Sequence, residues 1–242
     1  MQDFEIRLAE VRRAIEAAAQ KAGRDASEID LIAVSKTHPA EAVLEAIRAG
    51  VTHLGENKVQ EARGKIEAVG RGVWHLIGHV QTNKVKEAVR LFDWIDSVDR
   101  LELAQEIDRR AEPIGKTQNV LLQVNLAGES TKFGCAPDDA RALAEAMNAL
   151  PRLCLQGLMT IAPYVEDPEK VRPVFAGLRE LRDRLEAETG LRLPVLSMGM
   201  SGDFPVAIEE GSTAVRIGTA LFGARPKVKR ERPEDPSFVE ST

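Results

Sequence analysis

Eight short apolar runs, each followed by a stretch of helical periodicity, constrain this chain more than any other feature. The runs lie at 30–36 (DLIAVSK), 51–54 (VTHL), 73–77 (VWHLI), 93–98 (DWIDSV), 119–124 (NVLLQV), 153–158 (LCLQGL), 194–198 (PVLSM) and 213–217 (TAVRI). Helical patterns fall between and after them near 40–49, 57–69, 82–91, 100–111, 138–149, 168–189 and 203–210. Parallel strands covered on both faces read as continuous apolar runs. Alternating strand and helix builds a parallel sheet with helices outside it. Eight such units in 242 residues predict an α/β protein, a single (β/α)8 TIM-type barrel rather than an open sheet. Phe4, Leu8, Val11 and Ile15 recur at helical spacing ahead of the first strand, so residues 4–21 form an extra N-terminal helix. The barrel domain is expected over 1–225. Residues 226–242, rich in charge and proline, are expected to form a mobile charged tail.

Composition excludes several classes of function. The net charge is −5 and aromatic residues make up 4% of the chain, so no basic, aromatic-studded surface is expected for nucleic acid. The basic run Lys227–Arg232 is followed closely by Glu234 and Asp235 and reads as part of the charged tail. No apolar run approaches the ~18 residues of a membrane helix. The first residues mix charge throughout, unlike a signal or transit peptide. Cys135 and Cys154 stand far apart without CxxC spacing, which predicts a reducing, cytoplasmic setting. His75 and His79 have the i, i+4 spacing of a helical zinc pair, but WHLIG reads as a strand. Four strand residues span ~13 Å, too far for one metal.

Polar residues gather where strands end. Loops after barrel strands build the active face, and here glycines follow strands 2, 3, 7 and 8 directly: Gly55, Gly78, Gly199 and Gly218. After strand 7, SMGMSGD runs into a helix, and RIGTALFG closes strand 8. Barrels frequently bind phosphate between these two loops, with backbone N–H groups and hydroxyls as donors. Ser201, Gly202, Gly218 and Thr219 are therefore candidates for a phosphate cup, although Ser201 or Asp203 would also serve simply as a helix cap. Strand parity places Ile32, Val34 and Lys36 on one side. If that side is the interior, Lys36 is an amine at the mouth of a pocket; otherwise it is a solvated strand end. Arg216 would be a neighbouring cation if it too turns inward. An amine whose pKa is lowered by burial or a nearby cation can attack a carbonyl. Together the lysine and the cup suit an aldehyde bearing a phosphate.

These stretches resemble a known family. AVSKT (33–37), GENKVQEA (55–62), WHLIGHVQTNK (74–84), QVNLAGESTKFG (123–134), GLMTI (157–161), SMGMSGDFPVAI (197–208) and VRIGTALFG (215–223) are similar, in order and over about residues 5–225, to the pyridoxal phosphate homeostasis proteins. That resemblance implies a barrel like the N-terminal domain of bacterial alanine racemase. It implies pyridoxal 5′-phosphate held as an aldimine on Lys36, phosphate contacts from Ser201, Gly218 and Thr219, Arg216 near the pyridine nitrogen, and Asn57 close to the cofactor. It further implies a monomeric carrier in cofactor homeostasis, without strong turnover, which passes its cargo to apo-enzymes. Two alternatives keep the same lysine: an amino-acid racemase, and a cofactor-free Schiff-base aldolase. Racemisation needs a second proton-transfer group, and Tyr164, the chain's one tyrosine, is expected on a surface loop.

Overall fold

A computed structural model describes residues 2–128 and 133–223; the expected tail at 226–242 lies outside them. Helix α1 (Gln2–Lys21) leads into β1 (Asp30–Val34). There follow α2 (Ala40–Arg48), β2 (His53–Glu56), α3 (Val59–Val69), β3 (Val73–Leu76), α4 (Val85–Leu91) and β4 (Trp94–Val98). Next come α5 (Leu101–Ala111), β5 (Gln118–Gln123), α6 (Ala140–Asn148), β6 (Leu153–Met159) and α7 (Arg172–Thr189). The chain closes with β7 (Val195–Met200), α8 (Phe204–Glu209), β8 (Ala214–Ile217) and the single turn α9 (Thr219–Phe222). All eight strands pair in parallel, in sequence order, and β1 joins β8 to close the barrel. None of the helices is long and apolar enough to cross a membrane among the described residues.

The alternation of side chains along each strand produces two cores. Ala33, Leu54, Leu76, Ile95, Leu122, Leu158, Leu196 and Val215 face outward and pack with the helices in one continuous apolar layer. Ile32, Leu121 and Met159 are equally buried but stand apart from that layer and fill the interior. Helix α1 buries Phe4, Leu8, Val11 and Ile15, the expected stripe, against α8 and α9. Arg7 Nε donates to Leu221 O at 2.6 Å, and Arg24 Nη1 donates to Ser212 O at 2.7 Å, which ties this helix region to the closing β8 unit.

Several boundaries differ from the sequence reading, for local reasons. Strand β1 stops at Val34 rather than 36, because Ser35–Thr37 turn and His38 N–H donates back to Ser35 O. Strand β2 begins at His53 rather than 51, since Val51 N–H still bonds Ala46 O at the end of α2. The helices near 82–91 and 168–189 each open with a 3-10 turn, at Thr82–Lys84 and Pro168–Val171. Helix α9 carried no pattern of its own, being one turn long.

Two glycines illustrate opposite constraints. A Cβ on Gly157 in β6 would lie 1.9 Å from Val195 O, so β6 and β7 pair there only because the side chain is missing. Gly64, in the middle of α3, faces open space. Gly157→Ala should therefore destabilise the protein by about 3 kcal/mol or more, whereas Gly64→Ala should stabilise it by about 0.5–1 kcal/mol. Urea unfolding midpoints of the two variants check both signs.

Candidate functional site

The inward faces of the strands carry polar side chains of unusual density. From β8, Arg216 points into the interior and is 4% exposed. Its guanidinium donates to Ser197 Oγ on β7 at 2.7 Å and to Thr160 O, just past β6, at 2.8 Å. Burial pulls its pKa down, while the carboxylates of Asp96 and Asp203 act the other way; arginine stays protonated regardless. Two of its five N–H donors are engaged in those bonds, which leaves capacity for a ligand atom.

Lys36 stands two residues past the end of β1, half-buried. Interior packing settles the strand's parity. A Cβ on Gly55 of β2 would touch Ile32 Cγ2 and Val34 Cγ2, so Ile32, Val34 and Gly55 share the inner face. In the β1–β8 ladder Ile32 stands beside Arg216, and Val34 O lies against Gly218. The strand leading to Lys36 thus neighbours the one carrying Arg216.

Asn57 follows β2 directly. Its Oδ1 is buried without a hydrogen-bond partner. Gly78 lets the loop after β3 close over it, for a Cβ there would lie 2.3 Å from Asn57 O. A buried, unpartnered amide oxygen is costly and marks a position built to face something else.

At the far rim, Ser201 and Gly202 form the turn between β7 and α8, while Gly218 and Thr219 lead into α9. Ser201 Oγ accepts from Gly218 N and Ala220 N, both at 3.3 Å. Two backbone N–H groups therefore converge on a single oxygen from the loop after β8. Gly199, at φ 94°, allows the turn to fold onto α8, where a Cβ would lie 2.7 Å from Ala207 Cβ. Asp203 is the residue before α8, and its carboxylate accepts from Met200 N at 2.5 Å. Burial pushes its pKa up, only partly offset by that bond and by Arg216. Neither Asp203 nor Ser201 makes a side-chain capping bond to α8, and Ser201 turns toward the β8 loop.

Sequence reasoning passed over an interior chain below this mouth. His53 Nδ1 lies 3.0 Å from His75 Nε2, and His75 Nδ1 lies 3.2 Å from both oxygens of Asp96. With Nδ1 of His75 donating to Asp96, its Nε2 accepts, so His53 Nδ1 supplies the proton between the rings. Trp94 stacks on His75 at 5.3 Å, an inward role beyond simple packing. His53, His75 and Asp96 each sit on a different strand, and the register of β2, β3 and β4 brings them together. His79 instead stacks on Phe133 at the rim. No group of three metal-ligating side chains occurs among the described residues.

Cys135, past β5, is woven into the rim by its backbone, accepting from Asn125 N and donating to Gln123 O at 2.9 Å each. Burial, reinforced by Asp139 and Asp99, pushes its thiol up to about 12.

The model of the alanine racemase N-terminal domain family matches residues 6–226. A pyridoxal phosphate homeostasis protein of Aquifex aeolicus is 49% identical over 221 residues, covering 90% of this chain and 97% of that one. The structure of PipY from Synechococcus elongatus with PLP bound is 40% identical, covers 91% of this chain and all of its own, and superimposes with a TM-score of 0.81. An alanine racemase from Clostridium difficile, 17% identical, shares the fold over 94% of this chain but only 58% of its own length, with a TM-score of 0.74. The chain belongs to the alanine racemase N-terminal domain family, among the pyridoxal phosphate homeostasis proteins.

The histidines give the stability of the barrel a pH dependence. Burial, then the proximity of His75, holds His53 below its ordinary 6.5. Burial likewise lowers His79, against the pull of Asp99. The unfolded chain thus takes up these protons first, so their stabilising contribution is present above about pH 6.5 and is lost as pH falls through it. The melting temperature should drop between about pH 7.5 and about 5.5, and His53→Gln should make that drop shallower. Calorimetric scans across this range test it.

Proposed function

We propose that this protein holds pyridoxal 5′-phosphate through the amine of Lys36 and carries it, without strong turnover of amino acids. The observation that carries the reading is the buried Arg216 on β8, beside the strand that leads to Lys36, with donors to spare and no hydrophobic reason to be inside. Bound pyridoxal phosphate supplies an aldehyde, which condenses with a primary amine to an imine with loss of one water. Lys36 provides that amine. Ser201 and the N–H groups of Gly218 and Ala220, with the hydroxyl of Thr219 and the open backbone of Gly202, suit the phosphate. Asn57 Oδ1, lacking a protein partner, suits a donor on the ring or its substituents.

Arg216 also argues for carriage. A guanidinium has no acceptor, so facing a ring nitrogen it favours the unprotonated pyridine, a weaker electron sink than one paired with an acid. Racemisation also wants a second proton-transfer group. Tyr164 is 93% exposed on the segment after β6 and makes a poor candidate. The free thiols of Cys135 and Cys154 suit a reducing cytoplasm. The role that follows is to buffer a reactive aldehyde and release it to apo-enzymes that need it. The PLP-bound relative of the same fold supports this reading.

Borohydride reduction of the loaded protein, followed by peptide mapping, should place a pyridoxyl group on Lys36, and Lys36→Ala should lose it. A label on Lys84 instead would overturn the assignment. Replacing Ser201 by Ala together with Thr219 by Val should weaken retention of pyridoxal phosphate about tenfold or more while barely changing imine formation with phosphate-free pyridoxal. Equal losses for both ligands, measured by dialysis and absorbance, would dismiss the phosphate cup.

A further inference from the structure

Lys36 sits between two residues whose peptide groups are held from outside the barrel by α3. On one side, Ser35 O accepts from Lys65 Nζ at 2.7 Å, and Ser35 Oγ donates to Glu56 Oε1 at 2.5 Å. On the other, Thr37 N–H donates to the carboxylate of Glu61. Lys65 ties the two halves together, donating to Glu56 Oε1 at 2.7 Å and to Glu61 Oε1 at 2.9 Å. Its three bonds use all the donors an ammonium has. Lys65 is 6% exposed and Glu56 fully buried.

Two features suggest more than packing. Thr37 has φ 69° and is the one residue other than glycine with positive φ among the described residues. A β-branched residue in that region is strained, and such strain persists only where the surroundings enforce it. Here the enforcing contact is Glu61, whose pKa burial would raise but which bonds from Lys65 and Thr37 hold below the usual range. Moreover, a buried ion cluster is a poor way to gain stability, because apolar side chains of similar volume would serve as well or better. What apolar side chains would not supply is acceptors and donors aimed at the Ser35 and Thr37 peptides.

We propose that Glu61, Lys65 and Glu56 are positioning residues that clamp the backbone on either side of Lys36 and so aim its amine at an incoming aldehyde. The inference rests on Lys36 being the linking amine. The clamp touches no ligand itself. It fixes a turn that would otherwise relax to ordinary φ and swing the lysine off axis.

Glu61 is the clean point of attack, being partly exposed and outside both apolar layers. Glu61→Ala removes the acceptor for Thr37, whereas Glu61→Gln keeps an acceptor oxygen. Imine formation is followed by visible absorbance after mixing with pyridoxal 5′-phosphate. Pyridoxine 5′-phosphate, with the same ring and phosphate but no aldehyde, reports on the pocket alone by calorimetry. Glu61→Ala should slow imine formation about tenfold or more, leave pyridoxine 5′-phosphate affinity unchanged, and speed hydrogen exchange at the Thr37 amide of the cofactor-free protein. Glu61→Gln should restore most of the rate. Lys65→Met combined with Glu56→Gln, which removes the buried charges together, should show the same split between the two ligands. Imine formation at the unsubstituted rate in Glu61→Ala, or parallel loss of both ligands, overturns the clamp alone. An unsubstituted protein that forms no imine on Lys36 overturns the lysine reading and this inference with it.

Discussion

Between β1 and β8 the first and last strands meet, and the candidate site depends on that seam. Ile32 stands beside Arg216 and Ala33 beside Ile217 only because the sheet closes there. An open sheet would leave the lysine and the arginine on opposite edges. Closing nearly the whole chain into one loop carries an entropic cost. The reinforcement lies at the same place: α1 packs its apolar stripe on α8 and α9, and its neighbour Arg24 bonds the carbonyls of Ile208 and Ser212 just ahead of β8. The extra helix is thus part of the closure rather than an appendage.

With the seam in place, the interior has to accommodate a buried cation. Arg216 is compatible with low dielectric because Ser197 Oγ and the Thr160 carbonyl accept hydrogen bonds from its guanidinium, and because Asp96 and Asp203 supply negative charge nearby. Asp96 also anchors His75, which orients His53. The interior therefore mixes polar side chains from β2, β3, β4, β7 and β8 with the apolar side chains of Ile32, Leu121 and Met159.

Much of this was legible in the residues. Apolar runs and helical spacing specify the eight units, and the parity of DLIAVSK puts Ile32 and Val34 on one face, although the strand ends at Val34, before Lys36. Of the glycines expected after strands, Gly78 and Gly218 follow β3 and β8, whereas Gly55 and Gly199 lie within β2 and β7. Two things were hidden for a physical reason. The His53–His75–Asp96 chain joins three strands, and no local pattern reveals which residues of separate strands sit at one height until the register is known. The Lys65–Glu56–Glu61 cluster looks, in sequence, like an ordinary charged helix face with an i, i+4 pair. Only the tertiary packing shows that it is buried and turned toward the backbone beside Lys36.

The rim also contains Cys135, whose thiol burial has pushed up to about 12. At neutral pH that sulfur is almost wholly in its unreactive, protonated form. Thiolates and amines both add to aldehydes, the sulfur reversibly as a hemithioacetal. On the proposed reading, in which Lys36 is the linking amine, desolvation of this thiol leaves that amine as the nucleophile at the mouth.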